Sequence, residues 1–210
     1  CKKLMSKLQS GRLLHCFMIL VDVTLDPDTA QLKLVLSPDG KQVRYGDTRQ
    51  RLCDSAKRFS PTVSVLGKQG FSSGRFYYEV QIKGKTSWCF GVARESITRK
   101  GTVQLSPAYG YWTIWLRNRT EYMAKDSPPV HLSLEVKVGI FVDYDAGLVS
   151  FYDVDTWCPM RSYTNATFNE RIYPFFCVTD SASVTIPAVV KDFCLCLKPT
   201  VATKGFHVLV

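Results

Sequence analysis

The stretch Gly110-Tyr111-Trp112-Thr113-Ile114-Trp115-Leu116-Arg117-Asn118-Arg119 decides how the chain is read. Side chains of a β-strand alternate between two faces. Trp112, Ile114 and Leu116 share one face, which reads as core; Tyr111, Thr113, Trp115 and Arg117 share the other. The second tryptophan stands where a solvated residue is expected. Large aromatics and arginine outside a core are the residue types that anchor protein–protein contacts. Two readings of Trp115 stay open. It is an outward anchor, or a ring covered by a loop or second sheet, since both faces of a strand can be buried in a sandwich.

The same period of two recurs on either side of this stretch. Leu32, Leu34 and Leu36 alternate, Ser37-Pro38-Asp39-Gly40 turns the chain, and Val43 and Tyr45 return. Arg58-Phe59-Ser60-Pro61 leads to Val63 and Val65. Phe76, Tyr78, Val80 and Ile82 alternate strictly with Tyr77, Glu79 and Gln81. On the next strand Trp88, Phe90 and Val92 face in, and Cys89, Gly91 and Ala93 leave the other side small. Small residues there imply that another backbone or a ligand lies close. Ser96–Leu105 reads as a polar, basic loop. Val138, Ile140 and Val142 run up to Asp143-Tyr144, Asp145-Ala146-Gly147 closes a hairpin, and Leu148–Val154 is its partner. Tyr173-Pro174-Phe175-Phe176 supplies a further aromatic edge. No window has an apolar period of 3.6. Short strands with near-regular turns predict an antiparallel β-sandwich.

Composition bounds the function. The 210 residues suit one large domain with appendages, and a hydrophobic content of 46% supports a sizeable core. The net charge of +9 favours acidic partners, nucleic acid included. The basic residues are scattered, however, and several (Lys2, Lys3, Lys7, Arg12) sit in the first stretch. The 8 cysteines have irregular spacing in a chain too large to need staples. Reduced thiols in a cytoplasmic or nuclear protein follow. No zinc set can be read from His15, His131 and His207. The apolar run Leu13–Val21 after basic residues mimics a signal peptide, but it is too short to span a bilayer. Asn118-Arg119-Thr120 and Asn165-Ala166-Thr167 matter as sequons only in a secreted chain. Gly67-Lys68 lacks the full phosphate-loop spacing.

Several short motifs now acquire a joint meaning. Leu25-Asp26-Pro27, Arg58-Phe59-Ser60-Pro61, Gly74-Arg75, Tyr78-Glu79-Val80, Gly110-Tyr111-Trp112 and Val142-Asp143-Tyr144-Asp145 occur in the order and spacing of one family. From about Val21 to Phe176 the chain resembles the PRY–SPRY domain of tripartite-motif ubiquitin ligases, butyrophilins and fish NOD-like receptors. It looks most like fish members of the tripartite-motif group. The resemblance implies an all-β, bent two-sheet antiparallel sandwich of the concanavalin-like jelly-roll type, with no catalysis of its own. It divides the chain into a linker or upstream tail (1–20), a PRY segment (21–70), a SPRY segment (71–180) and a divergent tail (181–210). The tail is expected to stay out of the sandwich. The leading residues look helical or unstructured.

The resemblance also implies that variable loops at one end bind a protein. In immunoglobulin-binding relatives the anchors fall at Trp115 and Arg117, with tryptophan at the latter, and an acidic contact falls at Cys89. The candidate partner-binding residues are therefore Trp115, Arg117, Arg119, Cys89, Tyr45, Arg94, Arg99 and Asp180, with no cofactor and no metal. The expected function is targeting within an innate-immune ubiquitin ligase or receptor. Oligomerisation is expected only through upstream segments, and no membrane contact is expected. One alternative is a small phosphorylated ligand, as in butyrophilins, held by Arg94, Arg99, Lys100, Arg117 and Arg119; those relatives carry histidine at Cys89. Another is single-stranded nucleic acid on aromatic platforms and basic grooves. As carboxylate candidates for an enzyme, Glu79, Asp143 and Asp145 read better as structural and turn residues.

Overall fold

The computed structural model describes residues 18–83, 87–117, 121–123, 135–178, 183–188, 196–199 and 206–209, with only the backbone of residues 83, 116–117, 121–123, 135–136, 196–199 and 206–209. The alternation Phe76–Ile82 becomes a nine-residue strand, β6 (Arg75–Lys83). It pairs antiparallel along its whole length with β11 (Glu135–Asp143), from Arg75 opposite Asp143 to Lys83 opposite Glu135. That register puts Phe76, Tyr78, Val80 and Ile82 beside Val138, Ile140 and Val142 on one face, and none is more than 2% exposed. The hairpin through Asp145-Ala146-Gly147 returns β12 (Leu148–Asp153), with Gly147 at φ +62, where a side chain would be strained. A bulge after Phe151 admits the edge strand β13 (Pro159–Tyr163).

The other side of β6 is shared by two short strands. β1 (Ile19–Leu20) runs parallel to Phe76–Tyr77, and β15 (Ser183–Thr185) pairs with Gln81–Lys83. Beyond β15 lie β3 (Gln42–Tyr45) and β2 (Leu34–Leu36), which complete an eight-stranded sheet. The facing sheet has five strands in the order β10 (Glu121–Met123), β9 (Tyr111–Arg117), β7 (Trp88–Arg94), β14 (Ile172–Val178) and β5 (Ser64–Leu66). Two antiparallel sheets packed face to face are the expected sandwich. β4 (Ser60–Pro61) and β8 (Lys100–Gly101) make a small parallel bridge, and Pro107–Tyr109 is a single 3-10 turn. No helix among the described residues is long and apolar enough to cross a membrane.

Two expectations at the chain ends are corrected. Residues 1–17 lie outside the described residues, but Ile19–Leu20 is already a strand of the sheet, so a boundary at 20 cuts through structure. The divergent tail is likewise not excluded as a whole. β15 enters the sandwich between β6 and β3, and Val184 and Ile186 are buried. β15 pairs with only three residues of that edge, Gln81–Lys83, while β1 takes Phe76–Tyr77. So short an apolar alternation does not stand out in a sequence. Further on, β16 (Cys196–Pro199) and β17 (Phe206–Leu209) form a two-stranded sheet of their own.

The main core lies between the sheets, around Trp112, Phe90, Phe151 and Phe176. A hydrogen bond crosses it: the Tyr78 hydroxyl donates to the Gly91 carbonyl at 2.6 Å. A second apolar cluster sits on the outer face of the five-stranded sheet, and a third (Tyr77, Phe141, Tyr152) on the outer face of the other.

Candidate protein-docking face

Strand registers bring one end of the two sheets together. In the eight-stranded sheet Lys83 lies beside both Glu135 and Ser183, and Ser183 lies beside Arg44. In the five-stranded sheet Trp88 lies beside Leu116 and Val178. β6 leads to β7 and β14 leads to β15 across this end, so the connections after Lys83, Arg117 and Val178 all leave from it.

The outer face of the five-stranded sheet is built in rows. Farthest from that end, Tyr111, Ala93 and Tyr173 are register neighbours. Next come Thr113, Gly91, Phe175 and Leu66, and then Trp115, Cys89, Cys177 and Ser64. A strap formed by residues 54–60 and 95–105 covers the first rows. Phe59 and Ile97 are buried against Phe175, Tyr111, Ala93 and Cys89, with Val103 and Leu105 packed alongside. Phe175 packs edge-to-face with Phe59 and Tyr111 at centroid distances of 6.0 and 5.2 Å. The small residues Cys89, Gly91 and Ala93 make room for neighbouring backbone and this strap. At Gly91 a Cβ would collide with the Trp112 carbonyl and come within 2.9 Å of the Thr113 Cα.

Trp115 lies at the margin of the covered area. It packs against this second cluster yet remains half-buried, flanked by Cys89, which is 4% exposed. The two readings of its face resolve into one geometry: Trp115 packs against the outer-face cluster yet stays partly exposed, in a row that continues through Cys89 to half-buried Cys177. Burial pushes the Cys177 thiol above the usual range, so it is neutral at physiological pH. The same desolvation raises Tyr111 to about 12, partly countered by the Arg99 charge.

The strap is held by polar contacts that the sequence reading missed. Arg58 is 7% exposed, and its guanidinium donates to the carbonyls of Cys53, Pro27 and Ala30. The residue was visible only as part of a family motif; no local pattern marks a buried cation. Arg99 donates to the Lys57 carbonyl at 3.0 Å and covers the Phe59 ring at 6.0 Å. Its own carbonyl accepts from the Ser60 N–H. Lys100 pairs with Asp54 at 2.6 Å, and Ser96 donates to Glu170 from both its amide and its hydroxyl.

The sequence-predicted residues do not form one patch. Trp115 and Cys89 are neighbours. Arg99 is on the strap. Tyr45 is at the same end of the molecule but in the other sheet, accepting a hydrogen bond from Lys33 at 2.8 Å. Arg94 ends β7 at the opposite extreme, about 20 Å along the strand from its start. There its guanidinium lies 5.2 Å from the Trp112 ring and donates to the Thr167 carbonyl. Arg94 thus braces the core instead of joining a rim. Arg119, Asp180 and the side chain of Arg117 lie outside the described residues.

The basic pocket proposed for a phosphorylated ligand is dispersed in the same way. Arg94 is turned onto the Trp112 ring and bonded to Thr167, Lys100 is paired with Asp54, and Arg99 is committed to carbonyls. The carboxylates considered for catalysis also have structural partners. Asp143 pairs with Arg75 and accepts from the Ala146 amide, Asp145 accepts from the Gly74 amide, and Glu79 accepts from the Tyr77 hydroxyl. Among the described residues no group of three or more His, Cys, Asp or Glu could hold a metal ion.

Known proteins match this chain in both sequence and architecture. The SPRY-associated domain (PRY) matches residues 23–71, and the SPRY domain matches residues 75–189, past the sandwich strand β15. The chain is 46% identical over 159 residues to "Nuclear factor 7, brain" of Xenopus laevis, covering 74% of this chain and 26% of that protein. It is 45% identical over 160 residues to "E3 ubiquitin-protein ligase TRIM21" of Mus musculus, covering 74% and 34%. It is 43% identical over 175 residues to "Erythroid membrane-associated protein" of Homo sapiens, covering 81% and 37%. The chain therefore spans well under half the length of these relatives. The crystal structure of the TRIM65 PSpry domain superposes with a TM-score of 0.64 at 18% identity, covering 89% of this chain and 95% of that one. Stonustoxin superposes with a TM-score of 0.67 at 26% identity, over 80% of this chain and 27% of that one. With both segments matched in order and relatives above two fifths identical, the chain belongs to the PRY–SPRY family.

Proposed function

We propose that this domain recognises a partner protein through the Trp115 margin of the five-stranded sheet. A half-buried indole beside Cys89, at the end where several connections leave two rigid sheets, carries the reading. A partner that covers the ring gains by removing its exposed part from water, and packing against the outer-face cluster already restricts the side chain. Little side-chain entropy is then lost on binding. Immobilised aromatics at the centre of a contact are the usual hot spots. The parent protein is proposed as an innate-immune ubiquitin ligase or receptor that uses this domain for targeting in the cytoplasm. The family contains a relative named E3 ubiquitin-protein ligase, which supports the ligase half of that proposal.

The test begins by cross-linking partners to the wild-type domain in cells and identifying them by mass spectrometry. Affinity for the recovered partner is then measured for wild type and Trp115→Ala. The expected loss is at least ~2 kcal/mol, about 30-fold in Kd. Equal affinities, with the fold intact by circular dichroism, would remove Trp115 from the contact.

A further inference from the structure

We propose that Cys89 and Cys177 form a two-thiol site for soft, thiophilic centres that take two sulfur ligands, the class of monosubstituted trivalent arsenicals and cuprous ion. The two residues are direct register partners on adjacent antiparallel strands, and both side chains belong to the cluster on the outer face. Alternate residues of β14 turn their backbone groups toward β5 and its extension. Gly67 donates to the Pro174 carbonyl, Val178 donates to the Val63 carbonyl, and Phe71 and Ile172 exchange both bonds. The intervening residues, Cys177 among them, therefore bond to β7. Cys177 and Cys89 are a hydrogen-bonded pair, the wider type, with Cα atoms about 5.5 Å apart.

That spacing selects the chemistry. Opposed Cβ atoms in such a pair lie near about 5.5 Å, whereas a disulfide needs about 3.5–4.5 Å. A direct S–S bond requires the strands to move. An atom inserted between the sulfurs, with bonds of about 2.3 Å to each, holds them up to about 4.6 Å apart at linear cuprous ion and about 3.5 Å apart at pyramidal trivalent arsenic, both far beyond the ~2.05 Å of a disulfide. No third His, Cys, Asp or Glu joins the pair among the described residues, so the four-ligand set of structural zinc is not assembled. Thiolate softness then favours centres content with two sulfurs. Access is from the side of Cys177, which is half-buried, whereas Cys89 is almost covered. Cys53 and Cys158 are exposed on separate loops and are not paired in this way.

With phenylarsine oxide the reaction balances without an oxidant. Two S–H bonds and the arsenic–oxygen bond break, two As–S bonds form, and both protons leave with the oxygen as one water. Arsenic stays trivalent. The proposal does not rest on the protein-recognition reading, and its failure leaves that reading intact.

The experiment uses the full chain carrying Cys194→Ser and Cys196→Ser, which removes the other closely spaced thiols. The chain is treated with phenylarsine oxide, washed with excess glutathione and weighed intact. One phenylarsenic group per chain is expected, with loss of one water, and it should be absent from Cys89→Ala and from Cys177→Ala. A digest of the treated chain, which needs no further substitution, should hold the Cys89 and Cys177 peptides joined through one arsenic. No glutathione-resistant adduct, an adduct that survives either alanine substitution, or a different pair of joined peptides would each overturn the site.

Discussion

The Tyr78 hydroxyl on β6 donates to the Gly91 carbonyl on β7 at 2.6 Å, a polar link between the sheets in an apolar interior. Tyr78 is 2% exposed, and burial holds its phenol protonated far above the ordinary range. Tyr78→Phe removes the bond together with the group that required it. The expected cost is about 0.5–1.5 kcal/mol in urea denaturation with an unchanged m value. A neutral result would show the link to be dispensable.

Gly91, the acceptor, tolerates far less. Its φ of +152 is one that side chains rarely adopt, and a Cβ would press into the backbone of Trp112 and Thr113. Neither neighbour is a flexible side-chain end. Gly91→Ala is expected to destabilise by at least about 3 kcal/mol, combining backbone strain and overpacking. Thermal unfolding of the purified variant tests it, and a wild-type Tm refutes it.

The two tryptophans of β9 should behave differently. Trp112 is 2% exposed, packs edge-to-face with Phe168 at 4.7 Å and lies under Arg94. Trp112→Ala is expected to cost about 3–5 kcal/mol of stability. Half-buried Trp115 should cost less than about 2 kcal/mol when truncated. Urea midpoints of the two variants, measured side by side, settle the order. The reverse order would mean that Trp115 belongs to the core and not to a surface.

Arg58 supports the strap through three backbone carbonyls. Arg58→Met keeps most of the apolar stem but leaves those carbonyls without the guanidinium. A loss of about 3 kcal/mol is expected. Hydrogen exchange should quicken over residues 53–60 before it does in β6. Uniform acceleration would contradict a local role for the residue.

Tyr111 gives the protein an alkaline limit. The unfolded phenol titrates near about 10, but in the folded chain burial pushes it up to about 12. Between these values the unfolded state holds fewer protons, so stability falls as pH rises. The contribution is complete below pH about 10 and disappears as pH climbs through the folded value. Tyr77, Tyr78 and Tyr163 are shifted in the same direction. Urea midpoints taken across this range should descend less steeply in Tyr111→Phe than in wild type. Parallel curves would show that Tyr111 does not contribute.

Much of the architecture was legible in the chain because alternation is a local property. Phe76–Ile82 and Val138–Val142 show period two over enough residues to name their faces, and Asp145-Ala146-Gly147 marks its turn by chemistry. The short strands Ile19–Leu20 and Ser183–Thr185 escaped. Two or three residues carry no period, and only the vacant edge of β6 gives them a place. The candidate site was half legible. Trp115 stands out as an aromatic on the wrong face, and Cys89 adjoins it. Arg94 was misplaced because distance along the chain from Cys89 is distance along an extended strand.

By itself the sequence determined which residues face inward, where the chain turns and which family of sandwiches it joins. These follow from backbone periodicity and turn chemistry, which act between near neighbours. Only the tertiary structure decided that Cys177 lies beside Cys89, that Arg58 is buried under three carbonyls, and that Trp115 is seated but not sealed. Each of these depends on which strands become neighbours and on which loop lies over them, and that is settled by burial of the whole apolar surface at once.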